Sequence, residues 1–246
     1  MTLSANRKKP WEPSENCLQD HERLSLLAQL AEFVSHAVHN PLTAIFLHAD
    51  ILEEELRRPQ AEASHQALDS LGLIREEVTR VRDLVEQYLL LIRLSTLPHQ
   101  SEDLGVFLES FVFERRERLA ASGIALRLES SHDLGPVALH QKAFERALLN
   151  VLEHAVEAMP DGGSITLHAR RTGASVQLEI SYPGESMPPE QLSQLMSAAQ
   201  CSKPGWMGLG LYLAKEIVVA HGGRFEVTTH PNMATTFIVT LPLLAC

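Results

Sequence analysis

The chain has 246 residues with 31 acidic and 21 basic side chains, a formal net charge of -10 that argues against general nucleic-acid binding and against docking on an anionic membrane. Its 45% hydrophobic and 21% charged content is that of an ordinary globular protein, long enough to bury a core in one or two domains. Cys17, Cys201 and Cys246 lack metal-ligand spacing, and no apolar run reaches the roughly 18 residues of a membrane span or follows Arg7, Lys8 and Lys9 as a signal peptide would, so a cytoplasmic protein with reduced thiols is expected.

Residues 1–20, with Pro10, Pro13, Ser14 and Asn16 and little periodicity, read as a flexible tail too short for a folded sensor domain. From about residue 21, Leu24, Leu27, Ala31, Val34, Val38, Leu42, Ile45, Ala49, Leu52 and Leu56 step by three and four, the seam of one helix. The doubled step of four between Val34 and Leu42 falls where Pro41 removes a backbone donor, and a bend is expected there. His36 lies off the seam, with Asn40 one turn on along the same polar face. After Pro59, a second seam runs through Leu71, Ile74, Val78, Val81, Val85, Tyr88 and Ile92. Two long helices joined by a short loop make an antiparallel hairpin over 21–98, and pairing of two copies into a four-helix bundle would bury both apolar faces.

Pro98 to Asp103 reads as a polar linker, and 99–246 as a second domain. In it a helix is expected from Leu104 to Ser122 and a strand at Ile124, Leu126 and Leu128. A helix over 139–159 and a hairpin through Ile165–Ala169 and Val176–Ile180 follow. A loop from Tyr182 to about Trp206, with a short helix near Pro189–Met196, leads to Gly208-Leu209-Gly210-Leu211 and a helix stopped by Gly222-Gly223. Phe225–Thr229 and Thr236–Leu241 close as strands, giving an α+β sandwich with helices on one face of a mostly antiparallel sheet.

Four stretches, in order and at fitting distances, resemble the core of a two-component sensor histidine kinase over Leu24 to Leu241. His36-Ala37-Val38-His39-Asn40-Pro41-Leu42 is similar to that family's phosphoacceptor box, and Asn150 to Met159 to its Asn-rich box. Tyr182-Pro183-Gly184-Glu185-Ser186 falls on its Asp-x-Gly-x-Gly box, and Lys203 to Leu211, running on to Gly223, on its ATP lid and glycine box. The resemblance implies a dimeric hairpin that presents His36 as phosphoacceptor, with Asn40 placing water or the partner's phosphoryl group. It also implies that Asn150, His154, Lys203, Gly208 and Gly210 stand at nucleotide-binding positions, and that a response-regulator receiver domain or an upstream hybrid kinase is the partner.

Four departures narrow that implication. The carboxylate that normally follows the phosphoacceptor His is Ala37 here, and losing a positioned base typically costs about 10²–10⁴-fold. The family's Mg²⁺ ligand falls on His154, an imidazole, whereas a hard cation prefers oxygen. The Asp that meets the adenine amino group is Tyr182 and the second Gly of that box is Ser186, while the first Gly of the lid-end box is Trp206. The glycines at 208 and 210 are kept, as phosphate-approaching amides at a helix start or as a tight turn. Read together, these residues favour a protein that exchanges phosphoryl groups through His36 with a regulator and needs no nucleotide, metal or other cofactor. An active kinase that uses ATP and Mg²⁺, with His154 or Glu153 on the metal and Tyr182 stacked on adenine, is the alternative. A non-enzymatic module that inhibits a kinase or regulator is a third.

Overall fold

The computed structural model describes residues 38–54, 64–131, 133–184, 207–229 and 234–244. The tail, His36, Ala37, the first helix's start, Ser186, the short helix near Pro189–Met196, Lys203 and Trp206 lie outside these residues.

Residues 38–54 form a helix (α1) that continues past Pro41. The pyrrolidine supplies no N–H to the turn before it, and Thr43 Oγ1 donates to the His39 carbonyl at 2.8 Å in the adjoining turn. The second helix (α2, Ser64–Arg93) ends in a 3₁₀ turn at Leu94–Thr96. Its buried residues are Ser70, Leu84 and Gln87, whereas Leu71, Val78, Val85 and Ile92 of the predicted seam stay exposed on the single chain. The foot of the hairpin is anchored: Leu94 belongs to the main core, and Leu90, Leu91 and Leu97 pack against it.

The expected polar linker is in part a strand. Gln100–Asp103 (β1) pairs antiparallel with Pro136–Leu139 (β3), from Gln100 opposite Leu139 to Asp103 opposite Pro136. Two four-residue strands, one wholly polar, carry no alternation to announce them. β3 also takes Leu139 away from the helix expected there, which runs from Gln141 to Glu157 (α4). Between β1 and β3 lie α3 (Leu104–Ala121), capped by the Asp103 carboxylate on the amides of Gly105 and Val106, and β2 (Ile124–Ser130).

The main sheet adds β4 (Gly163–Thr172), β5 (Ser175–Tyr182), β6 (Arg224–Thr229) and β7 (Thr235–Pro242) in the order β2-β4-β5-β7-β6. Only β2 and β4 pair in parallel within it. Alternation selects the covered face: Val176, Leu178, Ile180 and Tyr182 on β5 point the same way as Phe237, Val239 and Leu241 on β7, and all are buried. Against them lie α4, through Phe144, Leu148, Val151 and Leu152, and the last helix (α5, Met207–Ala220), through Leu211, Leu213, Ala214 and Ile217. Each such side chain contributes about 1.5–3 kcal/mol by leaving water. α5 stops at Gly222, whose φ is 71°, and a Cβ on Gly223 would come 2.5 Å from the Thr240 carbonyl. The glycine pair therefore both reverses the chain and lets β6 lie close to β7.

Candidate functional site: the α4–α5 crossing and the end of β5

Asn150 and His154 are one turn apart on α4, so both lie on its buried stripe among Ala147, Leu148, Val151 and Ala155. Asn150 is 3% exposed and donates from Nδ2 to the Gly210 carbonyl at 2.9 Å, across to the first turns of α5. Its Oδ1 is buried without a partner. The structure thus brings together two predicted site residues, Asn150 and Gly210, and puts Gly208 in the first turn of the same helix.

A Cβ on Gly210 would meet Asn150 Cβ and Cγ at 3.5 Å, ordinary contact distances, and the backbone there has no left-handed φ. Gly210→Ala is therefore expected to leave stability unchanged or raise it by up to about 1 kcal/mol, since alanine is the better helix former. Urea unfolding checks this; a loss above about 1 kcal/mol would mean that the two helices need closer approach.

His154 is 6% exposed, and neither ring nitrogen has a partner. Its ring stands edge-on to Phe237 (centroids 5.6 Å, 84°) and to Tyr182 (6.2 Å, 80°). Tyr182 stacks on Phe237, which Phe225 flanks at 5.8 Å. Burial pushes the His154 pKa below the ordinary imidazole value, so the ring is held neutral. Because the unfolded chain binds its proton more readily, this contribution to stability is intact above about pH 6.5 and is lost as pH falls below it. Replacing a buried ring whose nitrogens go unpaired by an apolar side chain, His154→Leu, should raise the melting midpoint by about 2–8 °C and flatten that acid-side decline. A lowered midpoint would show that the imidazole has a partner.

Tyr182, at the end of β5, is 2% exposed. It shares a hydrogen bond with buried Thr235, directly across the β5–β7 register, and burial raises its phenol pKa. Thr235 and Phe237 were not singled out from sequence. Their signal was present: in Thr235-Thr236-Phe237 a threonine occupies an inward strand position, where a buried hydroxyl needs a partner. Asn40 is exposed on α1, next to His39, which is also exposed. Among the described residues no three side chains of the His, Cys, Asp and Glu types converge as a metal site, and no helix is long and apolar enough to cross a membrane.

A helical hairpin leading into an ATPase-type α/β sandwich, with an Asn-bearing helix crossed by a Gly-x-Gly helix start, is the architecture of a histidine-kinase core. Residues 26–97 match the His Kinase A (phospho-acceptor) domain, and residues 140–245 match the histidine kinase-, DNA gyrase B-, and HSP90-like ATPase family. Alginate biosynthesis sensor protein KinB of Pseudomonas aeruginosa is 30% identical over 222 residues, covering 87% of this chain and 37% of its own length. Sensor histidine kinase ZraS of Escherichia coli is 27% identical over 234 residues, with coverages of 94% and 49%. Among solved structures, histidine kinase ThkA in complex with response regulator protein TrrA superposes with a TM-score of 0.72 at 22% identity, covering 91% of this chain and 64% of that one. Histidine kinase AdeS of Acinetobacter baumannii gives 0.68 at 17% identity, covering 85% and 98%. Together the two matched domains give this chain a two-component sensor histidine kinase core. The chain spans half or less of the length of these curated relatives.

Proposed function

We propose that this protein carries a phosphoryl group on His36 and exchanges it with the aspartate of a response-regulator receiver domain without using ATP. In the transfer an imidazole nitrogen of His36 attacks phosphorus of the regulator's aspartyl phosphate. The N–P bond forms as the P–O bond to the carboxyl breaks, and the carboxylate leaves. Such chemistry draws its acids and metal from the regulator and does not depend on a carboxylate at Ala37. Asn40, exposed on α1 and four positions after His36 in the sequence, is assigned to positioning the incoming group or a water. The exposed seam of α2, Leu71, Val78, Val85 and Ile92, supports pairing of two copies as a four-helix bundle.

The observation that carries the ATP-independent part is the packing of His154 and Tyr182. At the positions to which the resemblance gives metal binding and adenine recognition stand a neutral imidazole in an aromatic cluster and a phenol bonded into the sheet. These residues do not fit Mg²⁺-nucleotide: the first offers no oxygen donor, and the second fills space where a purine edge would meet a carboxylate. The crossing of Asn150 and Gly210 favours the second reading, a kinase with an altered pocket, because the phosphate-side residues of the family are retained there.

The test is to mix the protein with a receiver domain labelled on its aspartyl phosphate, in nucleotide-free buffer. Acid-labile label appearing on this chain supports the proposal. Label that stays on the receiver, or goes only to inorganic phosphate in a reaction indifferent to His36, overturns it.

A further inference from the structure

Three imidazoles meet where the hairpin joins the ATPase-type domain, at the start of α4 and the end of α5. His99 follows the 3₁₀ turn and immediately precedes β1, His140 is the N-cap of α4, and His221 directly follows α5. His221 is buried, and its hydrogen bonds fix both tautomer and charge. Nδ1 lies 2.6 Å from the Ile217 carbonyl, which can only accept, and Nε2 lies 2.9 Å from the His140 backbone N–H, which can only donate. The ring is therefore neutral, with its proton on Nδ1. His140 is used the same way: its Nδ1 accepts from the Ala143 amide at 3.2 Å, capping α4 with an imidazole where an Asp or Ser is usual. His99 stands edge-on to His221 with centroids 4.6 Å apart.

A proton added to His221 Nε2 sets an N–H against the backbone N–H of His140 and strips an acceptor from the residue that caps α4. The helix dipole there also disfavours a cation. We propose that His99, His140 and His221 form a proton-released latch that ties the linker following the helical hairpin to the ATPase-type domain. Its neighbours match that role. Phe144 stands tilted to His221 with ring centroids 6.0 Å apart, and Gln141 beside the cap donates to Glu102 on β1 at 2.9 Å, a second tie between linker and helix start.

Burial lowers the His221 pKa, opposed by its bond to Ile217 and assisted by the two neighbouring imidazoles. Among the described residues, the charged groups of the packed elements (Arg93, Glu102, Lys142, Lys215, Glu216 and Arg224) are not among the influences on it. With the folded-state value depressed, the unfolded or released state binds the proton more readily. The latch is thus intact above about pH 6.5 and opens as pH falls below it.

Hydrogen–deuterium exchange of the full chain at pH 7.5 and 5.5, corrected for intrinsic amide chemistry, tests the latch. Protection of residues 97–103 should fall about ten-fold at the lower pH, the effect of one proton over one unit, while β4 and β5 stay protected. In His99→Ala, which removes an exposed side chain, the linker should already exchange fast at pH 7.5 and respond no further to acid. Equal linker protection at both pH values, a variant that behaves like the parent, or loss of protection spread over the whole sheet would each overturn the proposal.

Discussion

His36→Ala is expected to abolish phosphoryl exchange with the cognate receiver, by more than about 10³-fold, the scale on which loss of a covalent nucleophile acts. His39→Ala, three residues away, should leave the rate within about two-fold. The contrast matters because both histidines stand within four residues of Asn40 in the sequence, and the three-and-four spacing predicts that only His36 shares its face. His39 is itself exposed, and its recorded bond is through its carbonyl, which accepts from Thr43, so its side chain can be removed at little structural cost. Single-turnover transfer from the labelled receiver measures both variants. Full exchange in His36→Ala would leave the inhibitory-module reading standing.

The second large effect is on stability. Tyr182→Ala should cost about 3–5 kcal/mol, the usual range for truncating a buried aromatic, because the ring stacks on Phe237 and abuts His154. Tyr182→Phe should cost about 1–2 kcal/mol: it keeps the ring, removes the hydroxyl and leaves buried Thr235 without that bond. Against a total near 5–15 kcal/mol, the alanine variant approaches the limit of folding. Urea unfolding of the three proteins gives the values. A cost below about 1 kcal/mol for Tyr182→Ala would mean that the ring is a movable cover over a purine-sized space rather than part of the core.

Much of the architecture could be read before the structure, for identifiable reasons. β5 and β7 alternate strictly, because one face of each is buried and the other only half-covered, so Val176–Ile180 and Phe237–Leu241 announce themselves. The hairpin's period of three and four is equally plain, although on α2 the residues buried in one chain, Ser70, Leu84 and Gln87, are not those of the predicted seam. A heptad gives the apolar stripe and leaves open which side turns inward. The β1–β3 pair was illegible because Gln100-Ser101-Glu102-Asp103 is wholly polar and shows no alternation, its pairing with β3 resting on the backbone.

In the candidate site, the motifs named Asn150 and Gly210 separately, and the fold brings the two into hydrogen-bond contact. Spacing along the chain could not show that the His154 ring turns into the aromatic cluster. That orientation depends on Phe237, 83 positions later, arriving beside Tyr182 through the β5–β7 register. The histidine cap at His140 was hidden for a different reason. Imidazole is an uncommon cap, and its partner His221 lies 81 positions away.

If phosphoryl groups reach His36 from a protein and not from a nucleotide, incubating the full chain with Mg²⁺ and ATP labelled on its γ-phosphate should leave no more acid-labile label on it than on His36→Ala. Acid-labile phosphate on His36 that vanishes in that variant would overturn an ATP-independent role.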